Sequence, residues 1–180
     1  AGVYADGRMY VLGGLGTHAS QATEILEISP SWGGSYLAAE LPHVPVGGEI
    51  AYQLVVRNPL QIATTLSWTH RLPDGLDYAP GSATGGAVYS ATTHELSYSG
   101  PLQAAAERIF EFGASVHPNV PDGTSITSTV HLTGGGCAER ALVTTVRAHA
   151  PSLAASTKTV DRSAAQPGDI LHYRIDLINS

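Results

Sequence analysis

The strongest constraint in this 180-residue chain is a phrase that occurs twice. "VGGEIAYQLVVRNP" runs from Val46 to Pro59, and "PGDILHYRIDLINS" runs from Pro167 to Ser180. Placing Gly47 on Gly168, an offset of 121 residues, brings Ile50 onto Leu171, Tyr52 onto Tyr173, Leu54 onto Ile175, Val56 onto Leu177 and Asn58 onto Asn179. The matches fall on alternate residues, the period of a strand with one buried face. Whatever the first copy opens, the second copy opens again, and repetition at a fixed period constrains an architecture more than any single element does.

Between the two copies the alternation continues. Strands are predicted in "SYLAAEL", "GEIAYQLVVRN", "IATTLSWTHRL", "AVYSA", "HELSYSG", "ERIFEFGASVH", "TSITSTVHLT" and "ERALVTTVRAH". Phe110, Phe112, Ala114 and Val116 share one face, as do Ile126, Val130 and Leu132. Pro73-Asp74-Gly75 and Pro121-Asp122-Gly123 are turn signals. Only "PLQAAAERIF" offers an opening turn of helix, and most of it reads as strand or loop. With 20 Gly, 11 Pro and only 13% charged residues, the chain is expected to be all-β. Seven or eight short strands in about 120 residues predict an immunoglobulin-like β-sandwich. The expected organisation is residues 1–30, a separate set of strands; 31–150, the sandwich; and 151–180, the opening strands of a second, incomplete sandwich repeat.

Two resemblances attach to these segments. "LPDGLDYAPGSAT" (Leu72 to Thr84), "VPDGTSITSTVHL" (Val120 to Leu132) and "KTVDRSAAQPGDILHYRIDLIN" (Lys158 to Asn179) resemble the phrases of a prokaryotic surface-protein repeat. It is known as domain of unknown function number eleven, and the likeness covers about residues 36–179. Ser128 departs from it, since the family phrase usually carries Asn there. The resemblance implies an immunoglobulin-like module, found in tandem on secreted and wall-associated proteins, and is nearly silent on chemistry. In the first segment, "YADGRMYVLGGLG" (Tyr4 to Gly16) and "ATEILEISP" (Ala22 to Pro30) resemble part of a kelch repeat. Its glycine pair is Gly13-Gly14, and Trp32 stands where a kelch blade often places its Trp. A plain Gly-rich hairpin is the other reading of that segment.

The ends then pose a physical question. A lone strand or strand pair is marginal in water, so the second copy needs a surface to bury its apolar face. Three fates are open: packing on its own sandwich as an extra strand, remaining unordered, or entering the sheet edge of a neighbouring molecule. The residues expected to act in strand donation are Ile170, Leu171, Tyr173, Ile175 and Leu177 at one end, and Met9, Val11, Ile25 and Ile28 at the other. Head-to-tail contacts that do not close give filaments. The expected function is therefore that of an extracellular or cell-surface structural protein, the subunit of a filament with itself as partner. The alternative is a piece of a multi-domain surface adhesin, or a module binding glycans or other surface proteins.

Chemistry is thin. The net charge is −6 and Lys158 is the only lysine, so nucleic acid is not an expected partner. No run of 18 apolar residues suggests a membrane span, and no signal peptide is visible. Eight histidines form no H-x-H or H-E-x-x-H motif, and no serine sits in G-x-S-x-G, so no metal, cofactor or catalytic residue is expected and the chain is not read as an enzyme. A weak Ca²⁺ site would need Asp74, Asp77 and Asp122 brought together. Cys137 is read as an inert loop thiol, with an interchain disulfide as the alternative. Trp68 is read as core. Lys158 and Asn179 are the nearest pair for an isopeptide cross-link, against simple exposure of the lysine.

Overall fold

A computed structural model describes residues 30–178 together with the backbone of three N-terminal strands, β1 (Gly2–Ala5), β2 (Arg8–Val11) and β3 (Glu24–Leu26). These three form an antiparallel meander, with Tyr4 opposite Met9 and Met9 opposite Leu26. Met9, Val11 and Ile25 lie on its strands, while Ile28 lies outside the described residues.

Ten strands then build the middle of the chain. They are β4 (Tyr36–Ala39), β5 (His43–Pro45), β6 (Glu49–Arg57), β7 (Thr64–Arg71), β8 (Leu76–Tyr78), β9 (Val88–Ser90), β10 (Glu95–Leu102), β11 (Glu107–Val116), β12 (Ser125–Thr133) and β13 (Arg140–His149). One sheet has the order β4-β6-β11-β8, the other β5-β13-β12-β7-β10-β9. Taken in chain order, β4, β6, β7, β8, β11, β12 and β13 occupy the seven positions A to G of an immunoglobulin sandwich, ABED on one sheet and CFG on the other. The additions are β5, which pairs parallel to β13 at the sheet edge, and β9 and β10, which extend the second sheet beyond β7. The protein is all-β with an immunoglobulin-like sandwich.

The core follows from the alternation. β6 turns in Ile50, Tyr52, Leu54 and Val56, and β11 turns in Phe110, Phe112, Ala114 and Val116. Facing them are Leu66 and Trp68 from β7, Ile126, Val130 and Leu132 from β12, and Leu142, Val146 and Ala148 from β13. Each large apolar side chain buried here contributes about 1.5–3 kcal/mol. Trp68 meets Phe110 edge-on at 5.2 Å between ring centroids, and Tyr52 stacks on Phe112 at 5.1 Å. The expected core role of Trp68 is what the packing shows.

Three details differ from the sequence reading. β5 and β8 are three-residue strands, too short to show an alternation, and Pro45 is tolerated in β5 because that strand is an edge. β10 runs on through Gly100 and Pro101 to Leu102, paired with β7 throughout. Trp32 belongs to the sandwich and not to an N-terminal blade: its ring is fully buried in the core, and Arg140 Nη1 donates to its carbonyl at 2.9 Å. The chain joins the sandwich at Pro30, whose carbonyl accepts from Ala138 N at 3.0 Å.

Candidate assembly surface

The last described residues form a hairpin of their own, β14 (Thr157–Val160) with β15 (Tyr173–Asp176). It joins neither sheet of the sandwich, so packing on its own sandwich as an extra strand is not what the tail does. Its pairs are Thr157 with Asp176, Lys158 with Ile175, Thr159 with Arg174 and Val160 with Tyr173. In the sandwich, β4 pairs with β6 as Tyr36 with Val55, Leu37 with Leu54, Ala38 with Gln53 and Ala39 with Tyr52. Each of the four pairs is the earlier one displaced by 121 residues.

The correspondence extends to the connections. Glu40 N donates to Ala51 O at 2.9 Å, and Asp161 N to His172 O at 3.0 Å. Gly48 N donates to Pro45 O at 2.9 Å, and Asp169 N to Gln166 O at 3.0 Å. Gly47 and Gly168 take φ of +75° and +98°, a region that favours glycine, at the same point of this turn. Ser35 Oγ accepts from Arg57 N at 3.0 Å, and Ser156 Oγ accepts from Ile178 N at 3.0 Å. Sequence reading missed this serine, although "PSWGGS" at Pro30 and "PSLAAS" at Pro151 carried the signal at the same offset. The equivalence therefore begins at Pro30 and Pro151, and the second copy starts two residues after β13 ends.

The two copies differ in what covers them. Tyr52, Leu54 and Val56 are 2%, 0% and 0% exposed; their counterparts Tyr173, Ile175 and Leu177 are 56%, 60% and 73% exposed. Trp32 is fully buried and its counterpart Leu153 is 59% exposed. Leu171, the counterpart of buried Ile50, is half-buried, and Ile170 is exposed. All five C-terminal residues expected to act in assembly thus lie on or beside one small hairpin, and four of them expose most of their side chains. The opposite face is polar, with Arg174 Nε donating to Asp176 Oδ1 at 2.9 Å.

The edges of the hairpin differ too. β14 occupies the place of β4, which is an outer strand of its sheet. Where β4 has Leu37, β14 has Lys158, whose ammonium lies 4.5 Å from the centroid of the Tyr173 ring. A lysine on an outer strand discourages further pairing. β15 occupies the place of β6, an inner strand, so its free edge is one that the sandwich fills with β11. Asn179 lies outside the described residues.

Elsewhere the polar groups serve the fold. Asn58 Nδ2 donates to the carbonyls of Ile62, Gln103 and Leu102 at 2.9, 2.8 and 3.3 Å, and its Oδ1 accepts from Leu60 N at 2.9 Å. Ser128, noted in the sequence only as a departure, is buried and donates to Tyr52 Oη at 3.1 Å. Burial raises the Tyr52 phenol above its usual range, partly offset by that bond. His70 is fully buried, its Nδ1 2.9 Å from Thr129 O, and desolvation lowers its pKa despite that bond and the more distant Glu95 charge. Partial burial pushes the Cys137 thiol above its ordinary range. The three aspartates weighed for Ca²⁺ do not converge: Asp77 lies 2.8 Å from His117 Nε2, and Asp122 Oδ1 accepts from Ala150 N at 2.8 Å. Among the described residues no three His, Cys, Asp or Glu side chains are grouped to hold a metal, and no helix is long and apolar enough to cross a membrane.

No family model and no curated protein matches the chain. Solved structures do. The 35 kDa C-terminal fragment of the major pilin GBS80 of Streptococcus agalactiae aligns over 70% of this chain and 57% of its own length, at 11% identity and a TM-score of 0.46. The collagen-binding domain of a Staphylococcus aureus adhesin aligns over 63% of this chain and 96% of its own, at 8% identity and a TM-score of 0.47. BcpA, the major pilin subunit of Bacillus cereus, aligns over 79% of this chain and 47% of its own, at 13% identity and a TM-score of 0.45.

Proposed function

We propose that this chain is a non-catalytic structural module that works outside the cell, joined in series to others of its kind through the hairpin at 151–178. One observation carries the reading: a hairpin with the ladder of β4 and β6, displaced by 121 residues, whose core-type face is open. Tyr173, Ile175, Leu177 and Leu153 are the residues such a sandwich buries. A face of that composition on a two-stranded sheet favours completion by further strands. Self-association through it is head-to-tail in this reading, because in the sandwich the equivalent strand β6 is completed by a different strand, β11. The extracellular setting is supported by the likeness of the repeat phrases to the prokaryotic surface repeat. The antiparallel meander at the N-terminus is compatible with a kelch-type segment before the sandwich.

The test is assembly. Light scattering and negative-stain electron microscopy of the full chain at rising concentration are expected to show elongated particles. A chain ending at Ala150, or one carrying Ile175→Asp, is expected to stay monomeric. Monomers from the full chain at every concentration would overturn the reading of the hairpin as a self-associating joint.

A further inference from the structure

The outer face of the four-stranded sheet carries a trench that neither the core nor the hairpin accounts for. Its volume is about 670 Å³, and it crosses the strands from Glu40, next to β4, over Ala51 of β6 and Gly113 of β11, to Ala79 and Ser82 in the loop after β8. We propose that this trench binds an extended segment of another protein, one that carries two adjacent basic residues, Lys or Arg. The site lies wholly within the sandwich and is independent of the joint proposed above.

The trench follows from the outward residues of the sheet. On β6 these are Glu49, Ala51 and Gln53, and β11 sets Ser115, Gly113 and Glu111 opposite them. Ala51 and Gly113 therefore make a low row between two taller ones. Glu49 and Gln53 are four residues apart on one strand, so the walls stand about 13 Å apart. Three strand spacings, from β4 to β8, give a length of about 14 Å, the reach of about four extended residues. Both ends are held in place. Ser82 Oγ accepts from Gly113 N at 2.9 Å and donates to Ala79 O at 2.7 Å, and Thr84 Oγ1 accepts from Glu111 N at 2.9 Å. At the other end, Glu40 N donates to Ala51 O at 2.9 Å. A preformed groove lowers the ordering cost of binding.

Charge selects the occupant. Glu40 closes one end, Glu49 stands on one wall and Glu111 on the other, and all three are exposed. Among the described residues no lysine or arginine lines the trench, and Arg57, on the same face of β6, is held by Glu107 at 2.6 Å. Glu111 has only the amide of Gln53, 3.5 Å away. Adjacent residues of an extended chain point to opposite sides. Two adjacent basic residues thus reach Glu49 and Glu111 at once, with the backbone between them over Ala51 and Gly113. These 180 residues hold nine Lys and Arg, no two of them adjacent, so a second copy of them does not supply the segment.

The probe is a fluorescent eight-residue peptide with two adjacent arginines at its centre and glycine and serine elsewhere. It is titrated with the full chain at low salt and followed by anisotropy. A second peptide of the same composition separates the arginines by one residue, which puts both on one side. Saturable binding of the first peptide is expected, with the second bound about threefold or more weakly. Glu49→Gln and Glu111→Gln should each weaken the first by about two- to fivefold. Ala51→Phe keeps every charge, suits a strand and fills the floor, and should weaken binding about tenfold or more. Ile175→Asp should leave binding unchanged, because the hairpin takes no part. Thermal denaturation of each variant checks that the sandwich is intact. No saturable binding, equal binding of the two peptides, or undiminished binding to Ala51→Phe would overturn the inference. So would loss of binding in Ile175→Asp, which would move the site to the hairpin. Spermidine competing as well as the first peptide would also overturn it, since the trench would then take any small organic cation rather than a polypeptide segment.

Discussion

At the scale of single residues, the polar groups inside this sandwich determine how it responds to perturbation. Asn58 satisfies three carbonyls and one amide from two loops. Replacing it with alanine strands those groups at the end of β6, and Asn58→Ala is expected to lower unfolding stability by about 2–4 kcal/mol in a urea titration. His70 sets an acid limit. Its folded pKa lies below its ordinary value of 6.5, so the unfolded chain takes up a proton that the folded chain refuses. The resulting stability is complete above about pH 6.5 and is lost as pH falls from there through the folded value. The urea midpoint should decline over that window, and His70→Phe should flatten the decline. Neither role was legible in the sequence. A histidine in a strand gives no sign of whether a carbonyl waits for its Nδ1, and an asparagine after a strand reads as punctuation until the loops it ties are seen.

At the scale of elements, the alternation that identified β6, β11 and β12 was sufficient because each has at least four inward positions. β5 and β8 have three residues apiece, and no period can be read in three. Trp32 shows a different failure. It precedes β4 without belonging to any strand, so no alternation marks it as inward, and only the packing shows it in the core. Trp32→Ala is expected to destabilise the sandwich by about 3–5 kcal/mol. The same change at its counterpart, Leu153→Ala, should leave the unfolding midpoint of the sandwich within about 0.5 kcal/mol of its starting value, because Leu153 is exposed. Thermal denaturation of the two variants side by side measures how differently one structural position behaves when it is covered and when it is open. The hairpin itself was legible as a repeat of β6. Its partner strand β14 was not, since Thr157, Lys158 and Thr159 share no residue with Tyr36, Leu37 and Ala38. The ladder is conserved between the copies by backbone pairing alone.

At the scale of the whole molecule, the immunoglobulin-like class follows from strands spaced at short intervals with turn signals between them. Which strands lie side by side required the structure, because pairing is long-range and the sequence records only spacing. The assembly surface was half visible: the apolar face of the tail could be read, but not the pairing of β15 with β14. β15 lies in a ladder that repeats the pairing of β4 with β6, and of that ladder only the alternation of the second strand is legible in the sequence. The expected loss of assembly with Ile175→Asp is a consequence of the exposure of that face.

The separation of 121 residues between one copy and the next also has a mechanical meaning. With β13 ending at His149 and the next copy starting at Pro151, almost every residue of a period is folded into the module. A series of such modules pulled from its ends has little slack to give up before a fold must open. Each opening then releases about 400 Å of chain, less the span of the folded module. Such a series is stiff under small loads and lengthens in large, uniform steps under heavy ones, so that the extent of one repeat fixes how a tether built from it absorbs force.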